Sequence, residues 1–230
     1  MGTFQYMLAP MEGITDDPFR KLCHKHGADL TFTPMARISG LSRGNKVTLA
    51  RSAIESSTPT EIQLLGNRPD QLERFLSRFE PNGGFQGFNL NLGCSSPQVL
   101  KDGLGSAMIK RITRVSDMIT VIKDHGYSAS IKMRLGMNSY EEEKGAYLNL
   151  IEGVDANYFI VHARNGQQDL SQPVNLSAYQ KCVETGKTII ANGDIRTLEH
   201  VKILKEWGVG GVMIGRAAVE DPKIFSEIRK

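Results

Sequence analysis

The stretch Thr188-Ile189-Ile190-Ala191-Asn192-Gly193-Asp194, answered by Gly211-Val212-Met213-Ile214-Gly215-Arg216, decides the fold. Each half is a short apolar run that ends in a glycine turn. Between them Leu198, Val201, Leu204 and Trp207 recur at the spacing of one helix face, which Gly208 stops. A run, a loop, a helix and a second run make a βαβ unit, whose strands lie parallel with a right-handed crossover. Working back towards the N-terminus, the same beat repeats. The runs are residues 6–9, 30–33, 60–64, 87–90, 130–133, 158–161, 188–191 and 211–214. Helical faces lie between them: Leu72, Phe75, Leu76 and Phe79 behind Pro69, and Val115, Met118, Ile119 and Ile122. Ser139 with Glu142 has the form of a capping box ahead of Tyr147, Leu148 and Ile151.

Eight such units in 230 residues give about 29 residues each, close to the size of a closed eight-stranded barrel. An open doubly wound sheet would place its glycine fingerprint after the first strand. Here that strand runs into Ala9-Pro10-Met11-Glu12-Gly13, and the strongest glycine turns come last. The reading is an α/β chain with one domain over residues 1–230, a parallel eight-stranded (β/α)8 barrel of TIM type.

Composition narrows the function classes. Hydrophobic residues make up 40% and charged residues 23%, with a net charge of +3, which excludes a disordered chain. The 23 glycines and 9 prolines show no short period, which excludes a collagen-like one. Three scattered cysteines, Cys23, Cys94 and Cys182, make no disulfide framework and no metal-type pair, and they fit a reducing compartment. No apolar stretch reaches the roughly 20 residues of a membrane helix, and no basic residue precedes Arg20, so a signal peptide is not expected. The expectation is a cytoplasmic protein, monomeric, without membrane or metal. Residues 1–115 carry a net +4 and residues 116–230 a net −1. The excess sits at 35–53, where Arg37, Arg43, Lys46 and Arg51 have no acidic neighbour; a basic rim loop for a polyanion and a solvated helix face are both open readings.

Barrel chemistry gathers at the C-terminal ends of the strands. Collected there are Pro10 and Met11, Gln63, Asn91 and Cys94, Lys132 and Arg134, His162 and Arg164, Asn192, Gly193 and Asp194, and Gly215 and Arg216. The two late glycine turns suit a phosphate, which backbone N–H groups and Arg216 would hold. Cys94 differs from the other cysteines by lying in a Gly- and Ser-rich loop; an inert thiol and a reactive one both fit that position. Lys132 inside an apolar strand could form a Schiff base, steady a negatively charged ring, or snorkel to solvent.

In order and spacing these stretches resemble the dihydrouridine synthase family. The segments that carry the resemblance are Leu8-Ala9-Pro10-Met11-Glu12-Gly13-Ile14-Thr15-Asp16, Gln63-Leu64-Leu65-Gly66, Asn91-Leu92-Gly93-Cys94 with Val99 and Gly105, Lys132-Met133-Arg134-Leu135-Gly136, His162-Ala163-Arg164, Asn192-Gly193-Asp194-Ile195 and Met213-Ile214-Gly215-Arg216. The resemblance implies an FMN barrel that uses NADPH to reduce the 5,6 double bond of uridine in tRNA. It implies Cys94 as proton donor. The implied FMN contacts are Pro10, Met11, Gln63, Lys132, His162, Asn192, Gly193, Asp194, Gly215 and Arg216. Asn91, Arg134 and Arg164 are implied contacts to the substrate or its pocket. Two departures stand out. Ser95 follows the cysteine where the family usually has proline, with Pro97 two positions on. The family's usual C-terminal helical tRNA-binding domain is absent from residues 1–230, so a short form is expected. The residues themselves also admit another FMN barrel oxidoreductase acting on a small unsaturated ring, similar to dihydroorotate dehydrogenase, or a non-catalytic RNA-binding barrel.

Overall fold

A parallel sheet of apolar strands alternating with amphipathic helices can bury both faces by closing on itself, with the helices covering its outer side. The computed structural model, which describes residues 3–230, shows that solution. Its strands are β1 (Gln5–Leu8), β2 (Thr31–Phe32), β3 (Ala36–Arg37), β4 (Thr60–Leu65), β5 (Phe85–Leu92), β6 (Ala129–Arg134), β7 (Tyr158–His162), β8 (Ile189–Asn192) and β9 (Gly211–Ile214). All pair in parallel, in the order β1-β9-β8-β7-β6-β5-β4-β2, with β3 also on β4. The ring closes where Met7 bridges Leu30 and the Leu8 amide donates to the Leu30 carbonyl at 2.9 Å. This is a TIM-type (β/α)8 barrel.

All eight expected runs are strands, with one correction. The second run continues as two pieces, because Thr33-Pro34-Met35 interrupts its ladder on β4 before Ala36 resumes it. Pro34 has no N–H to give. The segment read as a long connection at 35–53 therefore begins with β3 and then forms two short helices, Ile38–Leu41 and Lys46–Arg51. The expected capping box also moves. Asn138 caps the helix Ser139–Glu143 by accepting from the Glu141 amide, while the Glu142 carboxylate takes the side-chain amides of Asn165 and Asn175.

Two hydrophobic groupings divide the core. Most of it lies between strands and helices, where Leu72, Phe75, Val115, Met118, Ile119 and Ile122 are buried as their spacing predicts. Phe88 packs edge-on against Phe75, Phe79, Phe85 and Tyr127, with ring centroids 4.9–6.1 Å apart, and this clamps β5 from outside. A second cluster fills part of the barrel lumen with Met7, Ala9, Phe32, Ile160, Ile190 and Met213. Those residues come from β1 and the residue just after it, β2 and β7–β9. The facing wall, from β4–β6, is polar.

Candidate active site

Because strand side chains alternate, Glu61 and Gln63 on β4, Asn89 and Asn91 on β5, and Ser130 and Lys132 on β6 share one wall. The strand register places Gln63 beside Asn89, Asn89 beside Ser130, and Asn91 beside Lys132. Burial without partners would cost about 1–3 kcal/mol for each such group. Here all but Lys132 satisfy one another. Ser130 Oγ donates to Glu61, Asn89 Nδ2 to Ser130 at 2.8 Å, Gln63 Nε2 to Asn89 at 2.8 Å, and Asn91 Nδ2 to Gln63 at 2.9 Å.

The chain ends at the cysteine loop. Asn91 Oδ1 accepts from the backbone amides of Gly93 (3.0 Å) and Cys94 (2.9 Å), so its side chain shapes the turn that presents Cys94. The Cys94 carbonyl takes the Ser106 amide at 2.9 Å. Cys94 is partly exposed, whereas Cys23 and Cys182 are fully buried, and burial pushes both of those thiols up to about 12. Gly105 holds a left-handed backbone at φ +59, and a Cβ there would stand 2.3 Å from the Cys94 carbonyl. Gly105→Ala is therefore expected to cost about 2 kcal/mol of stability and to displace the cysteine loop. Urea unfolding curves check the first effect, and the alkylation rate of Cys94 checks the second.

Beside the cysteine loop stands a cluster of cations. Lys132 has no hydrogen bond or ion pair among the described residues. Burial first, and then the Arg134 guanidinium, lower its ammonium to about 8, against the pull of the Cys94 sulfur. Burial, together with the cations of Lys132, Arg134, Arg164 and Arg216, pushes the His162 imidazole down to about 2. His162 is thus neutral across the working range. Its Nε2 accepts from Arg164 Nη1 at 3.1 Å, so its proton sits on Nδ1.

The two arginines expected at the substrate or its pocket make their hydrogen bonds to the scaffold in this structure. Arg164 is wholly buried, donating to the carbonyls of Leu170 and Gln172, to His162 and to Asp194. Arg134 Nη1 donates to the carbonyls of Asn165 and Gln168. Both pin the loop after β7. Asn91 likewise has its side chain committed to the cysteine turn.

Asp194, the one non-glycine described residue with positive φ (50°), bridges Arg164 and Arg216 with its two carboxylate oxygens. Its side chain binds cations, so its service to an anion would come through its backbone. It borders a groove lined by residues 192–196 and 213–217, after β8 and β9. Gly193 has φ +128, and a Cβ on it would approach His162 Cδ2 to 3.0 Å; a Cβ on Gly215 would meet Met11 Sδ at 3.6 Å. Bare backbone at both turns leaves room for a phosphate to come close. Asn192 ties the two turns together by donating from Nδ2 to the Met213 carbonyl at 2.9 Å. Pro10 and Met11 follow β1 on the same rim.

A family model described as dihydrouridine synthase matches residues 7–230. The chain belongs to the dihydrouridine synthase family. A probable tRNA-dihydrouridine synthase of Aquifex aeolicus is 26% identical, over 98% of this chain and 73% of that one. A tRNA-dihydrouridine synthase B of Xanthomonas axonopodis is 28% identical, over 96% and 68%. The fold alone is shared with N-(5'-phosphoribosyl)anthranilate isomerase from Pyrococcus furiosus, at a TM-score of 0.54 and 16% identity over 99% of this chain and 96% of that one. N-acetylmannosamine-6-phosphate 2-epimerase from Clostridium perfringens aligns at a TM-score of 0.55 and 13% identity, over 94% and 87%.

Dihydrouridine synthases are flavin-dependent oxidoreductases. This chain has the features such a cofactor needs: an unpaired lysine for an electron-rich ring, neutral amides beside it, and a groove of glycine backbone flanked by Arg216. Among the described residues no three acidic, histidine or cysteine side chains are grouped to hold a metal, and no helix is long and apolar enough to cross a membrane. Sequence reading passed over Glu61, Asn89 and Ser130. The signal was present as polar residues two apart from Gln63, Asn91 and Lys132 in strands otherwise apolar.

Proposed function

We propose that this dihydrouridine synthase family member reduces uridine in tRNA to dihydrouridine, using FMN and NADPH, with Cys94 as the proton donor. The observation that carries the proposal is the pairing, at one barrel mouth, of a half-buried ammonium with no counter-ion among the described residues and a partly exposed thiol. Names of the relatives support the substrate, and that of a Saccharomyces cerevisiae relative, tRNA-dihydrouridine(20a/20b) synthase, 26% identical over 94% of this chain and 60% of that one, specifies NAD(P)+.

Gly193, Asp194, Gly215 and Arg216 would hold the FMN phosphate, with Asn192 fixing the distance between the two turns. Lys132, Gln63 and His162 would face the ring. Gln63 keeps one N–H free after donating to Asn89, and the His162 Nδ1 proton is a second neutral donor. The chemistry a reduced flavin would supply there is hydride transfer, to C6 of uracil. Charge then develops towards C5 and O4, and an acid must wait at C5. Cys94 gives C5 its Sγ proton and recovers one from solvent, to which its loop is open. Lys132 would counter the negative charge of the reduced ring system. A uridine reaches this mouth only when flipped from its stack.

Of the basic residues at 35–53, Arg37 pairs with Asp102 and Arg51 with Glu12. Arg43 and Lys46 form no ion pair among the described residues and are the side chains offered to RNA phosphates.

The test is direct. Purified protein loaded with FMN should show a flavin spectrum, be bleached by NADPH, and be reoxidised by unmodified tRNA as uridines gain two hydrogens by mass spectrometry. A protein that takes up no FMN, or whose reduced form leaves tRNA unchanged, refutes the reading.

A further inference from the structure

Glu61 has no part in the reaction described above, yet it lies buried on the barrel floor, with Ser130 donating to it and the Tyr158 hydroxyl against it. Its carboxyl is the deepest member of the polar wall. From it the hydrogen bonds climb through Ser130, Asn89, Gln63 and Asn91 to the amides of Gly93 and Cys94. All of them point the same way, each donor giving downwards towards Glu61.

The geometry points to Glu61 as a positioning residue for Cys94: as terminal acceptor, it fixes the sense of a single hydrogen-bond chain whose other end holds the Cys94 loop. This role deepens the reading of Cys94 as the proton-donating thiol and rests on it.

Donor and acceptor counts along the chain give Glu61 this role. Each amide in the chain has two faces, a carbonyl and an NH2, and rotation by half a turn exchanges them. Reversing one link forces the next to reverse. In the reversed chain Asn89 would accept from Ser130, and Ser130 would need a donor at position 61. Burial pushes the Glu61 carboxyl up to about 7, and above that pH its carboxylate has no proton to give. At the upper end, reversed Asn91 would aim its NH2 at the two backbone N–H groups it now receives. Both ends therefore select the same sense, and aligned bonds polarise one another. Without Glu61, Ser130 loses its acceptor and can turn its hydroxyl up to Asn89; without Ser130, Asn89 loses its acceptor; in both cases the amides above are free to exchange orientations. The Cys94 turn is then held only part of the time.

Three variants of the full chain separate this from general damage. Ser130→Ala and Glu61→Leu each cut the chain at its lower end. Glu61→Gln keeps a carbonyl for Ser130 and can turn its NH2 to the Tyr158 oxygen, so it preserves the sense. The readout is iodoacetamide alkylation of the folded protein, followed by peptide mass spectrometry. Buried Cys23 and Cys182 serve as internal reporters of unfolding. The expected result is Cys94 alkylation faster by about fivefold in Ser130→Ala and Glu61→Leu, the worth of roughly one hydrogen bond. Glu61→Gln should stay within about twofold of the parent, with Cys23 and Cys182 protected throughout. In turnover with tRNA, kcat should fall in the two cut variants at unchanged KM.

Parental Cys94 reactivity in Ser130→Ala and Glu61→Leu, with the other cysteines protected, overturns the proposal. If Glu61→Leu exposes Cys23 and Cys182, Ser130→Ala decides alone. Alkylation needs no turnover, so a protein that fails to reduce tRNA yet shows the cysteine response refutes the proposed function and not this role.

Discussion

Cys94→Ala should lower dihydrouridine formation by about 10²- to 10⁴-fold, the usual worth of a positioned general acid, while flavin binding is unchanged. The separation follows from where the parts sit. The thiol stands on the loop after β5, and the groove for the phosphate is built from residues 192–196 and 213–217. The turn itself is held by Asn91 through backbone amides, which alanine keeps. Fluorescence titration with FMN should therefore match the parent, and NADPH should still bleach the flavin. Only the step from reduced enzyme to dihydrouridine, followed by mass spectrometry of tRNA, should slow. Cys94→Ser should be almost as slow, because a hydroxyl is a much weaker acid than a thiol. Undiminished turnover in Cys94→Ala would remove the cysteine from the chemistry.

Lys132→Met should move stability and function in opposite directions. In the free protein the ammonium lies half-buried beside Arg134, with no counter-ion among the described residues, and its ionisation falls from 10.5 to about 8. Below pH 8 the lysine is charged in both the folded and the unfolded chain, and the fold carries the full desolvation penalty. Between pH 8 and 10.5 only the unfolded chain binds that proton, so stability rises with pH and the penalty disappears. Methionine removes the charge and keeps most of the stem. The flavin-free variant should then be more stable than the parent at pH 7, by on the order of 3 kcal/mol. The gain should vanish above pH 10.5, and urea unfolding at a series of pH values checks this. Function should suffer. Flavin affinity should drop by about 10- to 100-fold, the worth of a charge-assisted contact, and turnover by about 10²- to 10³-fold. A variant as active as the parent would leave the unpaired lysine without a purpose, whatever its stability.

The residues around these two differ in how plainly they could be read. The glycine turns at Gly193 and Gly215 were visible because glycine after a strand reports a local backbone need, and φ +128 at Gly193 shows that need. Cys94 was visible because its loop composition set it apart from two cysteines in helical patterns. The hydrogen-bond partners of the arginines carry no such local signal. Arg134 and Arg164 follow strands as a ligand-binding arginine would, yet both turn back to hold the loop after β7. An arginine side chain reaches several residues in any direction, so position along the chain does not say which carbonyls it will meet. The basic segment at 35–53 divides similarly, since Asp102 and Glu12, far off in sequence, neutralise two of its four charges.

By itself the sequence determined the barrel, its eight strands and the rim on which the chemistry gathers. These rest on period, turn residues and unit length, which are local properties. Only the tertiary structure decided that β4, β5 and β6 turn one polar wall into the lumen, and that this wall is a single directed chain from Glu61 to Cys94. Its links join residues 69, 41, 26 and 28 positions apart. No local pattern encodes such pairings, because they exist only once parallel strands lie in register and a closed barrel leaves buried amides no water to bond.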